Sequence, residues 1–276
     1  MIESFESLPT VSLAEVNRTA RLLTRVDTKY LLDLNDTAHA AALGDMLGFL
    51  VGKGAARLSF DGGGLASRYR SIYLDTPQDH SFLGAATGAP NRFKVRLREY
   101  VDTGDAFMEV KTRLGSETVK RRVHFSDPDG QEDLLARTRR VSAFVRDEVL
   151  AAGGLENEDQ VRTLRKTLEV NYSRMTLLLP DDEARVTVDT DLIASLLGER
   201  RNVAKRQTLG YRGVVVVETK TLPGRGSAVD DYLAAREIHP VRFSKYATSR
   251  ALTDRWADRK RWKQTIKGYD LKKVTK

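Results

Sequence analysis

Residues 92–113 constrain the fold more than any other stretch, because charged and apolar side chains alternate along them. The charged positions of the first half are Arg92, Lys94, Arg96 and Arg98. Apolar residues separate them, as in a β-strand whose two faces differ. Residues 102–105 then supply turn chemistry that includes a glycine. The pattern predicts a charged antiparallel hairpin, with Glu109, Lys111 and Arg113 on one face of its second strand.

Four cations at alternate positions of one strand repel one another along the face that they share. A solvated face is the ordinary explanation for an alternating strand. It fits poorly here, because the repulsion is offset only by interleaved carboxylates or by a bound polyanion. We therefore expect something acidic to lie on this surface.

The whole composition points to the same class of partner. The 276 residues contain 46 Lys and Arg against 38 Asp and Glu, a net charge of +8. This balance favours anionic partners such as nucleotides, polyphosphate, nucleic acid or lipid head groups. Cysteine is absent, which excludes disulfides, thiol nucleophiles and cysteine-based zinc sites and is compatible with a reducing compartment.

Neither export nor membrane insertion is expected. The amino terminus carries Glu3 and Glu6 where a signal peptide would be basic. Nowhere does a run of about 18 apolar residues occur. We expect a cytoplasmic protein with no membrane span.

Six further stretches alternate like strands, and the segments between them have helical spacing. The predicted strands are 25–32, 68–75, 117–125, 167–179, 184–189 and 213–220. The predicted helices are 36–51, a helical region within 127–165 that breaks at 153–154, 227–237, and one after residue 246. The helices are not spaced as βαβ repeats, which favours an antiparallel sheet over a doubly wound one.

The expected fold class is α+β, an antiparallel β-barrel of seven or eight strands with helices packed outside. Its lumen would be a polar tunnel, because so many cations cannot be buried in a dry core without a large desolvation cost. We expect a single domain over residues 1–276, with a basic tail from about residue 255 to 276.

Eight short motifs, taken in order, resemble the catalytic domain of the vacuolar transporter chaperone (VTC) polyphosphate polymerases, within the CYTH or triphosphate tunnel metalloenzyme superfamily. They are residues 25–30 (RVDTKY), 71–75 (SIYLD), 94–98 (KVRLR), 108–111 (MEVK), 172–174 (YSR), 185–192 (RVTVDTDL), 217–220 (VETK) and 243–246 (FSKY). The resemblance spans nearly the whole chain. The amino-terminal Glu-x-Glu-x-Lys signature of hydrolytic CYTH members is missing, and Arg25-x-x-x-Lys29 stands in its place.

The resemblance implies a tunnel that binds ATP and transfers its γ-phosphoryl group to a growing polyphosphate chain. It assigns phosphate binding and catalysis to Lys29, Arg96, Arg98, Lys111, Arg174, Arg185 and Lys245. It assigns the divalent metal, Mn²⁺ or Mg²⁺, to Glu218.

The charge pattern adds a second set of candidates for substrate binding: Arg25, Arg70, Lys94, Glu109, Arg122 and Lys220. Arginine forks grip phosphate oxygens bidentately, whereas lysines act as compact point charges. For Glu109 beside Lys111, a salt bridge is the simpler interpretation. Carboxylates are hard oxygen ligands of the kind that Mg²⁺ and Mn²⁺ prefer.

Three functions stay open at this stage: a polyphosphate polymerase, which we favour, a tunnel hydrolase that cleaves triphosphate or nucleoside triphosphate, and a non-catalytic polyphosphate-binding module. The four histidines, His39, His80, His124 and His239, lack metal-ligand spacing and are interpreted as incidental. The basic tail carries no nucleic-acid-binding motif, so no nucleic acid partner is expected. A protein partner is not identified by the sequence.

Overall fold

The structure is a computed structural model that describes residues 3–20, 25–59, 64–115, 117–125, 134–197, 208–254 and 260–262. The predicted basic tail lies outside the described residues, except for a 3₁₀ turn at Lys260–Trp262. Another 3₁₀ turn spans Glu3–Ser7.

Eleven strands are present in the described residues and belong to one large, mainly antiparallel sheet. They are β1 (Thr10–Val11), β2 (Val26–Asp33), β3 (Ala56–Leu58), β4 (Ser67–Asp75), β5 (Arg92–Tyr100), β6 (Ala106–Leu114), β7 (Glu117–His124), β8 (Arg165–Leu179), β9 (Ala184–Leu196), β10 (Thr208–Gly210) and β11 (Val214–Thr221).

Seven α-helices accompany this sheet in the same described part of the chain. They are α1 (Leu13–Thr19), α2 (Thr37–Gly52), α3 (His80–Thr87), α4 (Leu134–Ala151), α5 (Glu158–Arg162), α6 (Ala228–Ala234) and α7 (Lys245–Thr253). Side-chain caps explain where several of them begin. Asp36 accepts from two backbone N–H groups at the start of α2, and Ser244 accepts from Ala247 N–H at the start of α7. The predicted α+β class, built on an antiparallel sheet, is confirmed.

The predicted charged hairpin is formed by β5 and β6. Arg96 lies opposite Glu109, and Lys94 lies opposite Lys111. The turn between the strands contains Gly104 at a φ of +77°, a left-handed conformation that side chains with a Cβ rarely adopt. β7 then pairs with β6, again antiparallel.

The chain divides into two compact units. The first comprises Met1–Arg68, Tyr172–Leu192 and Tyr211–Phe243, and the second comprises Tyr69–Asn171, Ile193–Gly210 and Ser244–Lys276. The single domain predicted over residues 1–276 stays a prediction.

In the first unit, the strands follow the order β2, β11, β9 and β8. Their apolar face packs against α2 and α6, in a core that includes Leu43, Met46, Val215, Val217 and Leu233. Since side chains alternate, the residues between these core positions lie on the other face of each strand. Glu218 and Lys220 are on that other face.

In the second unit, β4, β5, β6 and β7 follow one another in the sheet. Phe93, Val95, Met108 and Val110 pack against α4 and α5 in a separate core. Period-two alternation therefore leaves Lys94, Arg96 and the other charged positions of the hairpin on the opposite face.

Three short strands, β1, β3 and β10, were not predicted. Each has three residues or fewer, which is too short for a period of two to be recognised. No helix among the described residues has the length and apolar character that crossing a lipid bilayer requires.

Candidate functional site

Three strands of the second unit carry a surface of unusual charge. Residues that lie opposite one another on β5, β6 and β7 form cross-strand rows, and alternate rows share a face. The rows on the charged face are Arg92, Arg113 and Thr118; Lys94, Lys111 and Lys120; Arg96, Glu109 and Arg122; and Arg98, Phe107 and His124. We call this the cationic face. Its four rows contain eight Lys or Arg side chains and one carboxylate, that of Glu109.

Glu109 is the centre of a tight ionic cluster on the cationic face. Its carboxylate contacts the guanidinium of Arg96 at 2.5 Å and the ammonium of Lys120 at 2.6 Å, and Arg98 lies 3.9 Å away. The Glu109 side chain is only 2% exposed. We call Glu109, Arg96, Arg98 and Lys120 the Glu109 cluster. Three cations share one anion there, so the cluster holds a net positive charge around a carboxylate that is itself shielded from solvent.

The pKa values of the Glu109 cluster reflect its net positive charge. Burial alone would raise the pKa of Glu109, but Arg96, Arg98 and Lys120 outweigh it and hold the pKa far below its usual range. Burial and the positive charge of Arg96 lower the pKa of Lys120 to about 7, although Glu109 opposes the shift. Lys120 is therefore only partly protonated near neutral pH.

The start of α7 lies beside the cationic face. Lys94 donates to the hydroxyl of Ser244, the N-cap of α7, at 3.3 Å. Lys245 is the first residue of this helix and is half-buried. Tyr246 follows it, is buried and donates to the buried carboxylate of Asp75 at 2.5 Å. Asp75 thus fixes the beginning of α7.

Asp75 is itself held firmly in place. It is fully buried and accepts from the backbone N–H groups of Thr76, Ser81 and Phe82 at 2.8–2.9 Å. Burial raises its pKa, although these hydrogen bonds oppose the shift. Tyr246 also stacks on Tyr73, whose hydroxyl accepts from Arg96 at 3.3 Å. The Tyr246 ring therefore connects the position of Lys245 with that of Arg96.

The first unit contains a second ionic cluster, around Glu218. Glu218 Oε1 lies 2.9 Å from the ammonium of Lys29, and Oε2 lies 2.9 Å from that of Lys220. Arg174 is 3.7 Å from Glu218 and makes a bidentate pair with the buried Asp189, at 2.5 and 2.8 Å. We call these five residues the Glu218 cluster. It has three cations and two carboxylates, so it is more nearly neutral than the Glu109 cluster.

The pKa of each lysine in the Glu218 cluster is set by two opposing effects, burial and the charges of neighbouring residues. Burial lowers the pKa of Lys220 to about 8, with help from Arg174 and against Glu218. Burial acts on Lys29 as well, but Glu218 and Asp27 raise the pKa of Lys29 overall. Arg174 stays charged, because Asp189 raises its pKa further despite burial.

The donor set at Glu218 fits a divalent metal only together with a substrate. Within the part of the chain that the structure describes, no three His, Asp or Glu side chains are grouped as metal ligands. Both Glu218 oxygens also contact lysine ammonium groups. Mg²⁺ commonly takes one or two protein carboxylates and completes its shell with water and substrate phosphates. Glu218 fits that mode, in which an incoming phosphate chain also attracts the two lysines.

The other sequence candidates lie in different surroundings. Arg70 is on the opposite face of β4 from the residues that pair with Arg96 and Arg98, and it contacts Glu169 and Glu99 at 3.0 and 3.4 Å. Arg185 donates to Ala20 O at 3.0 Å, at the end of α1, and to the Asn17 side chain at 3.1 Å.

Arg25 pairs with Asp27 at 2.8 Å, on the strand that carries Lys29. Lys94, Lys111 and Arg122 join Arg96 and Arg98 on the cationic face. The structure therefore brings most of the candidates together on the cationic face and in the Glu218 cluster, whereas Arg70 contacts Glu169 and Glu99 and Arg185 contacts the end of α1.

Lys120 is a site residue that the candidate set lacked. Alternation placed it on one side of its strand with Arg122. Gly115-Ser116 between the two strands is a hairpin signal that could have predicted the pairing of β7 with β6. In the register Lys120 lies opposite Lys111, yet its ammonium reaches diagonally to Glu109. His124, interpreted above as incidental, also lies on the cationic face.

Comparison with known proteins identifies one family. The sequence model described as VTC domain matches residues 23–253, most of the chain. The matched region includes all the residues of both ionic clusters. No curated protein sequence matches the chain at a significant level.

Solved structures offer remote similarities. One is a protein from Hippeastrum, provisionally assigned as an adenylyl cyclase and described as having a dominant triphosphatase activity. Its identity is 14% and its TM-score 0.47, over 84% of this chain and 97% of that one. Provisionally assigned adenylate cyclases from Bacillus halodurans and Vibrio parahaemolyticus have identities of 11% and 10% and TM-scores of 0.42 and 0.40. Each match covers 80% of this chain, and it covers 93% of the Bacillus halodurans chain and 94% of the Vibrio parahaemolyticus chain.

Proposed function

This chain belongs to the VTC domain family, and from that premise we propose that it is a metal-dependent polyphosphate polymerase. It transfers the γ-phosphoryl group of ATP to a growing polyphosphate chain inside a basic tunnel. The phosphate-binding residues are Lys29, Arg96, Arg98, Lys111, Arg174, Arg185 and Lys245. The contacts described above add Lys120 to that set.

The observation that carries this proposal is the surplus of positive charge in the Glu109 cluster. Arg96, Arg98 and Lys120 converge on one carboxylate that is 2% exposed. Holding several cations together with little water is costly unless anions compensate them. A chain of phosphates supplies closely spaced negative oxygens, so it is the ligand that this surface suits.

The same arrangement suits phosphoryl transfer. That reaction needs little covalent help from a protein, because positioning and charge neutralisation supply most of the rate. Glu109 holds Arg96 and Lys120 in place before the substrate arrives, so the cations do not have to reorganise during the reaction. Glu218 would hold Mn²⁺ or Mg²⁺, which when bound would offset charge on the phosphates and the leaving group.

Incubation of the purified protein with ATP and Mn²⁺ tests the proposal, with polyphosphate, ADP and free phosphate resolved separately. A polymerase produces one ADP for each phosphate that is added to polyphosphate. Production of free phosphate without polymer would instead establish a hydrolase, and tight binding of polyphosphate without turnover would establish a binding module.

A matched pair of variants connects this activity with the cationic face. Arg96→Ala removes a cation of the Glu109 cluster, whereas Arg70→Ala removes one from the opposite face of the neighbouring strand. We expect Arg96→Ala to weaken both ATP binding and polymer formation at least ten-fold, about 1.4 kcal/mol. Arg70→Ala should change neither by more than about two-fold, since an exposed ion pair contributes little.

A further inference from the structure

Aromatic rings are concentrated at one end of the cationic face. Tyr100 lies at that end of β5, and Phe107 and His124 lie opposite each other on β6 and β7. Arg98 and Arg122 border them on the same face. We call Tyr100, Phe107, His124 and Arg122 the aromatic end. It adjoins the Glu109 cluster directly, because Arg122 lies opposite Glu109.

The flat groups of the aromatic end contact one another but are inclined to each other and do not form a parallel stack. The rings of Phe107 and His124 have centroids 4.0 Å apart and are tilted by 52°. The Arg122 guanidinium lies over the Phe107 ring at 4.5 Å, and Tyr100 meets Phe107 edge-on at 5.9 Å. Imidazole, phenyl and guanidinium planes are the groups on which nucleobases stack in proteins.

Core packing does not explain these rings. The core of this unit lies on the opposite face of the same strands, where Phe93, Val95 and Met108 pack under α4. Phe107 and Tyr100 are only partly buried, and His124 and Arg122 are exposed. The outer part of the aromatic end is therefore accessible to a ligand.

We propose that the aromatic end binds the base of a nucleoside triphosphate whose phosphates lie on the cationic face, with the base stacked on His124 and Arg122. This inference rests on the proposed function, and it adds the orientation of the nucleotide. The base lies at the row of Phe107, and the terminal phosphate points toward the row of Lys111.

The spacing agrees with such a ligand. Four residues separate Phe107 from Lys111 along β6, or about 13 Å at the rise of a β-strand. That is comparable to the length of an extended nucleoside triphosphate. The phosphates would then pass over Arg96 and Lys120, which meet at Glu109. Stacking reads the flat face of a base and not its edges, so purine nucleotides should bind with similar affinity to one another.

Titration calorimetry with two ligands tests the inference, because tripolyphosphate has the phosphates of ATP but no base. His124→Ala should weaken ATP binding about ten-fold. It should leave the affinity for tripolyphosphate within about two-fold. His124→Phe keeps a flat ring and should restore ATP binding. His239→Ala removes an exposed histidine from the first unit and should change neither affinity.

Each other outcome has a definite meaning. If His124→Ala weakens ATP and tripolyphosphate equally, or weakens neither, the base does not stack there and the inference is overturned. Loss of ATP binding in His124→Phe as well would overturn it too, since a flat ring would then not suffice. If the parental protein binds neither ligand, the proposed function itself fails. If the parental protein binds tripolyphosphate but His124→Ala does not weaken ATP binding more than tripolyphosphate binding, only the inference is refuted.

Discussion

Glu109→Gln tests the surplus of positive charge in the Glu109 cluster, because the carboxylate and an incoming phosphate would compete for the same cations. The change keeps the size of the side chain and removes its charge. Arg96, Arg98 and Lys120 then lose the carboxylate that they share. We expect the ligand-free protein to become less stable and, at the same time, to bind tripolyphosphate more tightly.

The size of the first effect follows from the burial of the cluster. Removing one partner of a buried ion pair costs about 3–5 kcal/mol. Glu109 is 2% exposed, but Lys120 and Arg96 are 34% and 20% exposed, so the lower end of that range applies. A loss of about 3 kcal/mol corresponds to a fall in Tm of about 6–12 °C for a chain of this size.

The second effect has the opposite sign. In the parental protein an incoming phosphate must share three cations with Glu109, whereas in the variant that carboxylate no longer competes for them. We expect an affinity gain of about ten-fold, or 1.4 kcal/mol. Saturating tripolyphosphate should therefore raise the Tm of the variant more than that of the parental protein.

Thermal unfolding with and without tripolyphosphate, together with calorimetric titration, measures both effects. Glu99→Gln is the control, since Glu99 lies on the other face of β5 and pairs with Arg70 at 3.4 Å near the surface. We expect it to cost less than about 1 kcal/mol and to leave the affinity unchanged. If Glu109→Gln lowers both stability and tripolyphosphate affinity, Glu109 helps to hold the ligand and the reasoning is wrong.

Three further predictions concern protonation, positioning and transfer. Phosphate should raise the pKa of Lys120, which is about 7 in the free protein. Above that pH, phosphate binding should therefore be accompanied by the uptake of a proton. The affinity for phosphate should fall as the pH rises toward about 9. Calorimetry in two buffers of different ionisation enthalpy measures the uptake. Lys120→Arg should remove the part of the uptake centred near pH 7 and leave the part that Lys220, with a pKa of about 8, contributes. Tyr246→Phe should weaken tripolyphosphate binding several-fold by releasing the start of α7 from Asp75. Tyr232→Phe, which removes another buried hydroxyl bonded to Ala42 O at 2.7 Å, should cost about 1–2 kcal/mol of stability without changing the affinity. Equal affinities for both variants would refute the positioning role. Glu218→Gln should keep ATP binding but slow transfer at least a hundred-fold, about 2.7 kcal/mol, whereas Glu183→Gln, at an exposed pair with Arg225, should not; polymer formation at the parental rate would show that Glu218 serves only its lysines.

The sequence predicted most of the second unit's cationic face, because the necessary signals are local. A period of two sets the faces of β5 and β6, and a glycine turn brings the strands together. What the sequence could not predict is the pairing between strands that are distant along the chain, such as β8 with β4. Arg70 is a substrate-binding candidate on charge alone, but the register of β4 with β5 puts it on the opposite face from Arg96.

The contacts that long side chains make could not be predicted from the sequence either. Lys120 contacts Glu109 across a diagonal, and Arg185 contacts the carbonyl at the end of α1. Neither contact follows from strand parity, since long side chains reach residues that do not lie opposite them. Candidate residues from an alternating pattern are thus reliable for their face and less so for their partners.

The charge balance of the two ionic clusters predicts that each responds differently to phosphate and to a divalent metal. The Glu109 cluster has three cations and one carboxylate, so a phosphate chain lowers its electrostatic energy as soon as it binds. The Glu218 cluster has three cations and two carboxylates, and Asp189 and Glu218 already compensate most of its charge. Phosphate alone gains less there, whereas phosphate together with a divalent cation keeps the balance. The affinity for phosphate chains should accordingly come from the Glu109 cluster, and the metal dependence of transfer from the Glu218 cluster.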